Sequence, residues 1–455
     1  MLRVGRILTR LCGQMTRREM LRAGAIPALG LSLADLFKLR AGAAAPMAKR
    51  SMILLWLWGG PSQLDTFDMK PAAPLEYRGP YRPVATNVSG IEICELLPRL
   101  ARCADKFAIF RSLRHQTNDH GIGGTVGLTS SQAGAISLGG QTVPGRLQPT
   151  HGAIVSRMRG FRPDLPTFVS IGGRLHQGHR PIAGEGGGSL GSLYDPFRLE
   201  YDPDEGVRIP ELDIIDGLSP AALDDRRALL RRIETIPRQL EASRSIERLD
   251  EFYQQAFSLL LASSARRFFD VADEPEALRN QYGRFRFGQC CLMARRLVEA
   301  GVAFVQVNWS SHVEPIEDAG DGGWDTHDRN YPQLQDRHAW MLDQSLSALL
   351  GDLDGRGLLE STLVLAVGEF GRTPKINVRA GRDHWEHCYS GLVAGGGVRC
   401  GQVIGASDKL GQFPATRPLS PGDLAATLYA QLGIGTVQLT QAGLTPPGEL
   451  IEELV

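Results

Sequence analysis

The chain has 455 residues, and its 50 Lys+Arg side chains balance its 50 Asp+Glu side chains. The first 50 residues carry ten of the basic and two of the acidic side chains, so the remainder has 40 basic side chains against 48 acidic ones. A mildly acidic body argues against a nucleic-acid partner, which would need a basic surface. The seven cysteines include no C-x-x-C pair, which argues against a structural zinc site.

The N-terminus has the order of features found in a twin-arginine signal peptide. Thr16–Arg22 contains an arginine pair, Ala23–Phe37 is weakly apolar, and Ala43–Ala45 is a small-residue exit. An amphipathic N-terminal helix is the alternative interpretation. We expect residues 1–45 to direct the chain to the twin-arginine export machinery and then to be removed, leaving residues 46–455 as one domain in the periplasm or outside the cell. No other apolar run approaches membrane-spanning length, so an uncleaved leader would act as a tether.

Six short apolar runs bounded by glycine or other turn residues predict the strands of one sheet. Because they alternate with helical patterns, the expected fold class is α/β, with a large, mostly parallel central sheet flanked by helices. At about residues 200–285, between the third and fourth runs, helical spacing indicates a helical insertion that packs over the sheet edge. The six runs are Met52–Trp58, Phe107–Leu113, Pro166–Ile171, Val302–Trp309, Leu363–Val367 and Gly391–Ala394.

Most of the ten histidines lie close to the ends of these predicted strands. In open α/β sheets, ligands bind beyond the carboxyl ends of the strands. A single histidine in a loop would more often be a solvated surface group, but several at one edge form the arrangement that a metal or phosphate site requires. His115, His120, His176, His179 and His312 follow predicted strands, and His384 and His387 lie in the loop before the last one.

The motif G-G-W-D-T-H-D at residues 322–328 carries a metal-ligand pattern. Asp325 and His327 alternate with Thr326, so in an extended segment both side chains point to one side. A carboxylate and an imidazole in this arrangement can share one divalent cation. A capped turn before a helix is the alternative interpretation.

The stretch between the last two predicted strands combines further carboxylates and imidazoles. Glu369 comes just past the end of one strand, and Asp383, His384 and His387 come just before the next. We expect these side chains to form the floor of an active site. Mixed carboxylate and imidazole ligands suit zinc, manganese or iron, whereas a carboxylate-dominated set suits calcium.

Several motifs together resemble an uncharacterised bacterial family, domain of unknown function 1501, over nearly the whole body of the chain. More distantly, that family resembles the alkaline phosphatase and sulfatase superfamily, which implies an alkaline-phosphatase-like parallel-rich sheet between helices. The motifs that carry the resemblance are W-G-G-P-S-Q-L-D-T-F-D, N-D-H-G, L-V-E-A-G-V-A-F-V-Q-V-N-W, G-W-D-T-H, G-E-F-G-R-T-P, G-R-D-H-W and G-A-S-D-K-L-G.

The superfamily resemblance implies that Asp325 and His327 bind one metal together with His387, which His384 assists or replaces. Glu369 stands where the superfamily has the aspartate of an Asp-His pair. With Asp65 added as a candidate after the first strand, the expected metal ligands are Asp65, His120, Asp325, His327, Glu369, Asp383, His384 and His387.

In the superfamily the histidine of that Asp-His pair would occupy position 370, where this chain has Phe370. This departure weakens the expectation of a second metal site.

The nucleophile is open at this point. Counting back from the segment that matches the superfamily's nucleophile helix leads to His120, and Thr117 is the nearest hydroxyl. Either Thr117 attacks, or a metal-activated water attacks with His120 as ligand or base. Arg372 and Arg382 flank the cluster and would clamp an anionic ester, with surface salt bridging as the alternative.

These expectations combine into an exported metal-dependent hydrolase of phosphate or sulfate esters. Its cofactor would be a divalent ion such as zinc, manganese or calcium. Its substrate would be an anionic ester, either a small molecule or a sulfated or phosphorylated glycan. The alternative is a catalytically inactive exported binding protein that retains the same fold.

Overall fold

The structure is a computed structural model that describes residues 25–26, 31–32, 50–162, 165–209, 268–315 and 322–455. The chain divides into two compact units, Met1–Ala48 and Lys49–Val455. The described residues of the first unit form one antiparallel pair, Ala25–Ile26 with Leu31–Ser32. The rest of the predicted signal peptide, residues 1–45, lies outside the described residues, as does most of the predicted helical insertion at about residues 200–285.

The second unit is built on one nine-stranded sheet with the order β5-β4-β3-β6-β1-β7-β8-β2-β9. In chain order the strands are β1 Ser51–Trp56, β2 Phe107–Leu113, β3 Phe168–Ile171, β4 Phe197–Asp202, β5 Gly206–Arg208, β6 Phe304–Asn308, β7 Thr362–Val367, β8 Tyr389–Gly395 and β9 Gln402–Ile404. All run in one direction except β5 at one edge and β8 between β7 and β2. The predicted large, mostly parallel sheet is therefore confirmed.

All six predicted strands are present, as β1, β2, β3, β6, β7 and β8. The central strand β1 is continuously apolar from Met52 to Trp56 and is buried there on both faces, as expected for a parallel strand covered by helices on each side. Sequence analysis did not predict β4, β5 and β9. These strands are less apolar and lie at or near the two edges of the sheet.

Helices cover both faces of the sheet. They are α1 His120–Thr129, α2 His151–Arg159, α3 Glu276–Tyr282, α4 Arg286–Ala300, α5 Ala339–Gly355, α6 Pro421–Gln431 and α7 Thr436–Gln441, with four-residue helices at Leu75–Arg78, Pro98–Ala101 and Asn330–Gln333 and a π-helical turn at Leu334–His338 before α5. On one face, Ile53 and Leu55 of β1 share a hydrophobic core with α4 and α5. Because side chains alternate along a strand, Trp56 points to the other face.

Helix α1 packs on that other face and approaches the sheet closely. A Cβ atom at Gly127 would lie 2.3 Å from the ring of Trp56, so only glycine permits the observed distance between helix and sheet. Asp119 caps the helix by accepting a hydrogen bond from Ile122 N. These contacts fix the first residue of α1, His120, at the carboxyl edge of the sheet.

Four short antiparallel ribbons lie outside the nine-stranded sheet. They are Pro83–Ala85 with Glu92–Cys94, His176–Gln177 with Arg180–Pro181, Gly371–Arg372 with His384–Trp385, and Ala406–Ser407 with Pro414–Thr416. Among the described helices, none combines the length and the apolar character needed to cross a bilayer.

Candidate metal centre

The polar side chains of the candidate site come from segments at the carboxyl edge of the sheet. These segments follow four different strands, so residues far apart in the chain meet at one place. The contributors are Gly59 after β1, His120 at the start of α1 after β2, Asp325 after β6, Glu369 and Arg372 after β7, and His384 on the ribbon before β8.

One carboxylate oxygen, Asp325 Oδ1, is the focus of the site. His327 Nε2 and His384 Nε2 each lie 3.1 Å from it, and His120 Nε2 lies 3.3 Å away. Arg372 Nη1 contacts the same oxygen at 2.7 Å. The structure thus gathers three imidazoles and one guanidinium around a single carboxylate.

The other ring nitrogen of each imidazole faces an oxygen that can only accept a hydrogen bond. Each Nδ1 therefore carries the proton and donates it. The acceptors are Glu369 Oε1 for His120 at 2.5 Å, Asp383 Oδ1 for His327 at 2.8 Å and the Asn118 carbonyl for His384 at 2.6 Å. Metal-ligating histidines typically show this pattern, because it fixes the ring and leaves the Nε2 lone pair for a cation.

The Nε2 atoms fit a bound cation better than they fit one another. His327 Nε2 and His384 Nε2 are 2.9 Å apart, so in their neutral forms two lone pairs would face each other. His120 Nε2 is buried and has no hydrogen-bond partner, although Asp325 lies close to it. Ligand atoms of His120, Asp325 and His384 all lie within 4.8 Å of one another, close enough to share one metal ion.

Burial and neighbouring charges shift the pKa values of the side chains in the site. Burial lowers the pKa of His120, but the carboxylates of Asp325 and Glu369 outweigh it and raise that pKa to about 9. Burial lowers the pKa of His384 to about 4. Burial would raise the pKa of Asp325, yet Arg372 and His120 hold it well below its usual range. Without a metal, His120 is therefore protonated at neutral pH and His384 keeps a lone pair, while the contact with Asp325 also raises the pKa of His327.

Glu369 lies behind His120 and orients it. Its side chain is fully buried, and its carboxylate also accepts a hydrogen bond from Gly59 N at 2.9 Å. Gly59 has φ of +107°, and a Cβ atom there would lie 2.4 Å from Trp324 N, next to Asp325. The structure therefore places Glu369 in contact with an imidazole, whereas sequence analysis expected it to ligate the metal directly.

Asp383 has a similar position behind His327. Its carboxylate contacts His327 Nδ1 and accepts a hydrogen bond from Asn377 Nδ2 at 3.2 Å, and its side chain is 51% exposed. From the sequence, Asp383 was expected among the direct metal ligands. The geometry makes it an oxygen acceptor that fixes the ring of His327 at the open side of the site.

Arg372 is fully buried, and its guanidinium is committed to the protein. Besides Asp325, it donates hydrogen bonds to the carbonyl groups of Gly59, Gly60 and Arg382. These contacts hold Asp325 in place. They correct the expectation that Arg372 clamps an ester, because its guanidinium contacts protein acceptors and its side chain does not reach solvent.

Asp65 lies outside the imidazole group, and this corrects its assignment as a candidate ligand. Its two oxygens pair with Arg382 Nε at 2.7 Å and Arg382 Nη2 at 3.1 Å, and it also accepts from Ser62 and Asn330. Arg382 N in turn donates to Thr326 O. This buried pair therefore anchors the loop that carries Asp325, and Arg382 is likewise not free to bind an ester.

His387 and Thr117 are also separate from the imidazole group. His387 is 45% exposed, contacts Glu386 and packs on Trp385 and Phe413. The short ribbon ends at Trp385, so the chain turns away between His384 and His387. The structure thus gives the place expected for His387 to His384. The Thr117 hydroxyl accepts a hydrogen bond from the backbone of Asp119 before α1.

The remaining histidines at the sheet edge make other contacts. His115 Nε2 lies 2.5 Å from the Glu369 carbonyl, and its ring packs on Phe370 and Tyr389. The rings of His176 and His312 stack on each other with centroids 5.4 Å apart. The sequence does not reveal these contacts, because the hydrogen-bond acceptors of His115 and His176 are the backbone carbonyl groups of Glu369 and Arg174.

Comparison with solved structures finds similar chains at low sequence identity. They include Ps i-CgsB in complex with k-i-k-neocarrahexaose, at TM-score 0.40 and 11% identity over 87% of this chain and 77% of that chain. The lipoteichoic acid synthase LtaP from Listeria monocytogenes has TM-score 0.36 and 10% identity over 92% and 81%. The PsFucS1 sulfatase from Pseudoalteromonas sp. has TM-score 0.35 and 12% identity over 88% and 70%. No curated protein matches the chain.

A family model matches residues 49–454, which is almost all of the second unit. The family is described as a protein of unknown function. The chain therefore belongs to the DUF1501 family.

Proposed function

We propose that the chain is an exported metal-dependent hydrolase of phosphate or sulfate esters. The observation that supports this most strongly is the convergence of three imidazole Nε2 atoms on Asp325 Oδ1, with each Nδ1 held by an oxygen acceptor. Such an arrangement prepares lone pairs for a cation. It lies at the edge of the sheet where α/β enzymes bind their ligands.

His120, Asp325 and His384 would hold the cation, and His327 lies against His384 as a further donor. A set with more nitrogen than oxygen donors favours zinc over calcium. When bound, the cation would supply Lewis acidity toward the ester and generate a nucleophile from water at neutral pH.

The residues around the cation would orient it and move protons. The open side of the cluster is at His327 and Asp383, whose side chains are 34% and 51% exposed. A substrate would approach from there, and the exposed carboxylate of Asp383 would accept a proton from the attacking group. On the buried side, Glu369 holds His120, and Arg372 holds Asp325.

This arrangement favours attack by water over attack by a side-chain hydroxyl. The Thr117 hydroxyl is used to accept a backbone hydrogen bond. His120 faces Asp325 from a fully buried position, as a ligand would. We therefore assign His120 to the cation and leave Thr117 outside the reaction.

A second candidate function is that of an exported protein that binds metal or ligand without catalysis. The observation that favours it is that the two arginines nearest the cluster, Arg372 and Arg382, are fully buried and committed to protein acceptors. A hydrolase of anionic esters usually stabilises the developing charge with free donors. Stoichiometric metal without turnover would select this function.

Export is part of the proposal and depends on the twin-arginine leader at Thr16–Arg22. The proposed substrate class of the hydrolase, an anionic ester on a small molecule or on a glycan, rests on the superfamily resemblance. Replacement of the arginine pair by lysines should retain the protein in the cytoplasm. Fractionation of cells that express both forms would test this.

The experiment that tests catalysis compares two neighbouring histidines. Purified wild type, His384→Ala and His387→Ala would be assayed for metal content and for turnover of aryl phosphates and aryl sulfates. We expect His384→Ala to lose both, and His387→Ala to retain both because it lies outside the imidazole group. Equal loss in the two variants would contradict the proposal.

A further inference from the structure

We infer that the site holds a single divalent cation, because the Phe370 ring packs against the imidazoles and the Arg372 guanidinium pairs with Asp325, which leaves a second cation neither space nor negative charge. This inference rests on the proposed function and specifies its metal content. It follows from three features of the described residues: the commitment of the carboxylates, the packing of Phe370 and the charge of Arg372.

The carboxylates near the cluster, other than Asp325, already have partners. Glu369 contacts His120 and Gly59 N. Asp383 contacts His327 and Asn377. A second cation would have to break one of these contacts, and in the case of Glu369 it would do so inside a fully buried environment.

Phe370 fills the space beside the imidazoles. Its ring centroid lies 4.8 Å from that of His120 and 4.8 Å from that of His384. On its other sides it meets backbone, since Cβ atoms built at Gly60 and Gly123 would lie 3.2 Å and 3.1 Å from it. An apolar ring packed this closely offers no ligand atom and leaves no volume for a hydrated ion.

Arg372 supplies the positive charge that a second cation would otherwise bring. Its guanidinium contacts Asp325 Oδ1 at 2.7 Å, and its other acceptors are uncharged carbonyl groups. The charge of the central carboxylate is thus already balanced by a fixed cation. Asp325 can therefore give one divalent ion a ligand oxygen, together with the imidazoles of His120 and His384, but it offers no uncompensated negative charge to a second ion.

The first test is metal stoichiometry. The protein would be loaded with excess zinc or manganese, dialysed and measured by elemental analysis. We expect one equivalent per chain. Two equivalents would overturn this inference and leave the proposed function standing, whereas no bound metal would overturn the proposed function itself.

The second test asks how the charge of Arg372 affects the Kd for zinc, and it needs no activity assay. Arg372→Gln removes the charge next to Asp325, so we expect its Kd for zinc at pH 8 to be at least tenfold tighter than that of wild type. Arg372→Lys keeps the charge and should show no tightening. Weaker binding by a folded Arg372→Gln protein would show that Arg372 acts only as a structural support and would overturn its assigned role.

The third test replaces the ring and stays informative if the arginine variants do not fold. Phe370→His puts a ligand atom where the ring now packs, and Phe370→Leu keeps the position apolar. At saturating zinc we expect Phe370→His to bind more than one equivalent and Phe370→Leu to remain at one. One equivalent in both variants would contradict the role assigned to the ring.

Discussion

Glu369→Gln tests whether the buried carboxylate behind His120 prepares the site for metal. The substitution keeps the shape and an oxygen for Gly59 N, but it removes the charge that faces His120 Nδ1 at 2.5 Å. Hydrogen bonds to charged groups contribute about 1.5–3 kcal/mol, and loss of such an outer partner typically costs about 10–100-fold in metal affinity. We expect a weakening of Kd for zinc within that range, measured by competition with a chromophoric chelator at pH 8.

Asp383→Asn is the matched control for this substitution. Asp383 has the same relation to His327 that Glu369 has to His120, but its side chain is half exposed, and solvent screens its charge. We expect its Kd to change by less than about threefold, at the low end of exposed charge interactions. A larger loss in Asp383→Asn than in Glu369→Gln would refute the reasoning that the buried pair orients the site.

Four further predictions concern pH and stability. Metal must displace the proton of His120, whose pKa is raised to about 9, so zinc affinity should rise roughly tenfold per pH unit up to that value, which calorimetry at several pH values would check. Because folding raises the pKa of His120, the protonated imidazole stabilises the metal-free protein. This contribution should be complete below pH 6.5 and lost as pH rises through about 9, as thermal unfolding would show. Asp65→Asn leaves the buried Arg382 without its charged partner and should lower the free energy of unfolding by about 3–5 kcal/mol, with metal stoichiometry unchanged in the folded protein. Gly59→Ala should lower it by about 1–3 kcal/mol in urea unfolding, because the added Cβ meets Trp324 N at 2.4 Å. A Gly59→Ala protein as stable as wild type would contradict the close packing at this edge.

The strands that could be predicted from the sequence are those that form continuous apolar runs. β1 and β7 are buried runs without charge, so their composition reveals them. β4 alternates Phe197, Leu199 and Tyr201 with charged residues near the edge of the sheet, which is a strand pattern that a search for continuous apolar runs does not detect. The antiparallel direction of β8 depends on its pairing with β7 and β2, and no local residue pattern specifies it.

The sequence predicted which residues belong near the candidate site, but it did not predict which side chains contact one another there. The G-W-D-T-H motif identified Asp325 and His327, and strand ends identified His120 and Glu369. The partner of Asp65 lies 317 residues away, so nothing near Asp65 in the sequence distinguishes a buried ion pair from a ligand. His384 and His387 look equivalent in sequence, and only the end of the ribbon at Trp385 separates them.

The most direct measurement is an anomalous difference map from crystals of zinc-loaded protein. The central claim predicts one strong peak between His384 Nε2 and Asp325 Oδ1, at zinc–ligand distances of about 2.0–2.2 Å, with His120 Nε2 also in contact. A peak at another place, such as beside His176 and His312, would contradict that claim, and so would a saturated crystal without a peak at Asp325.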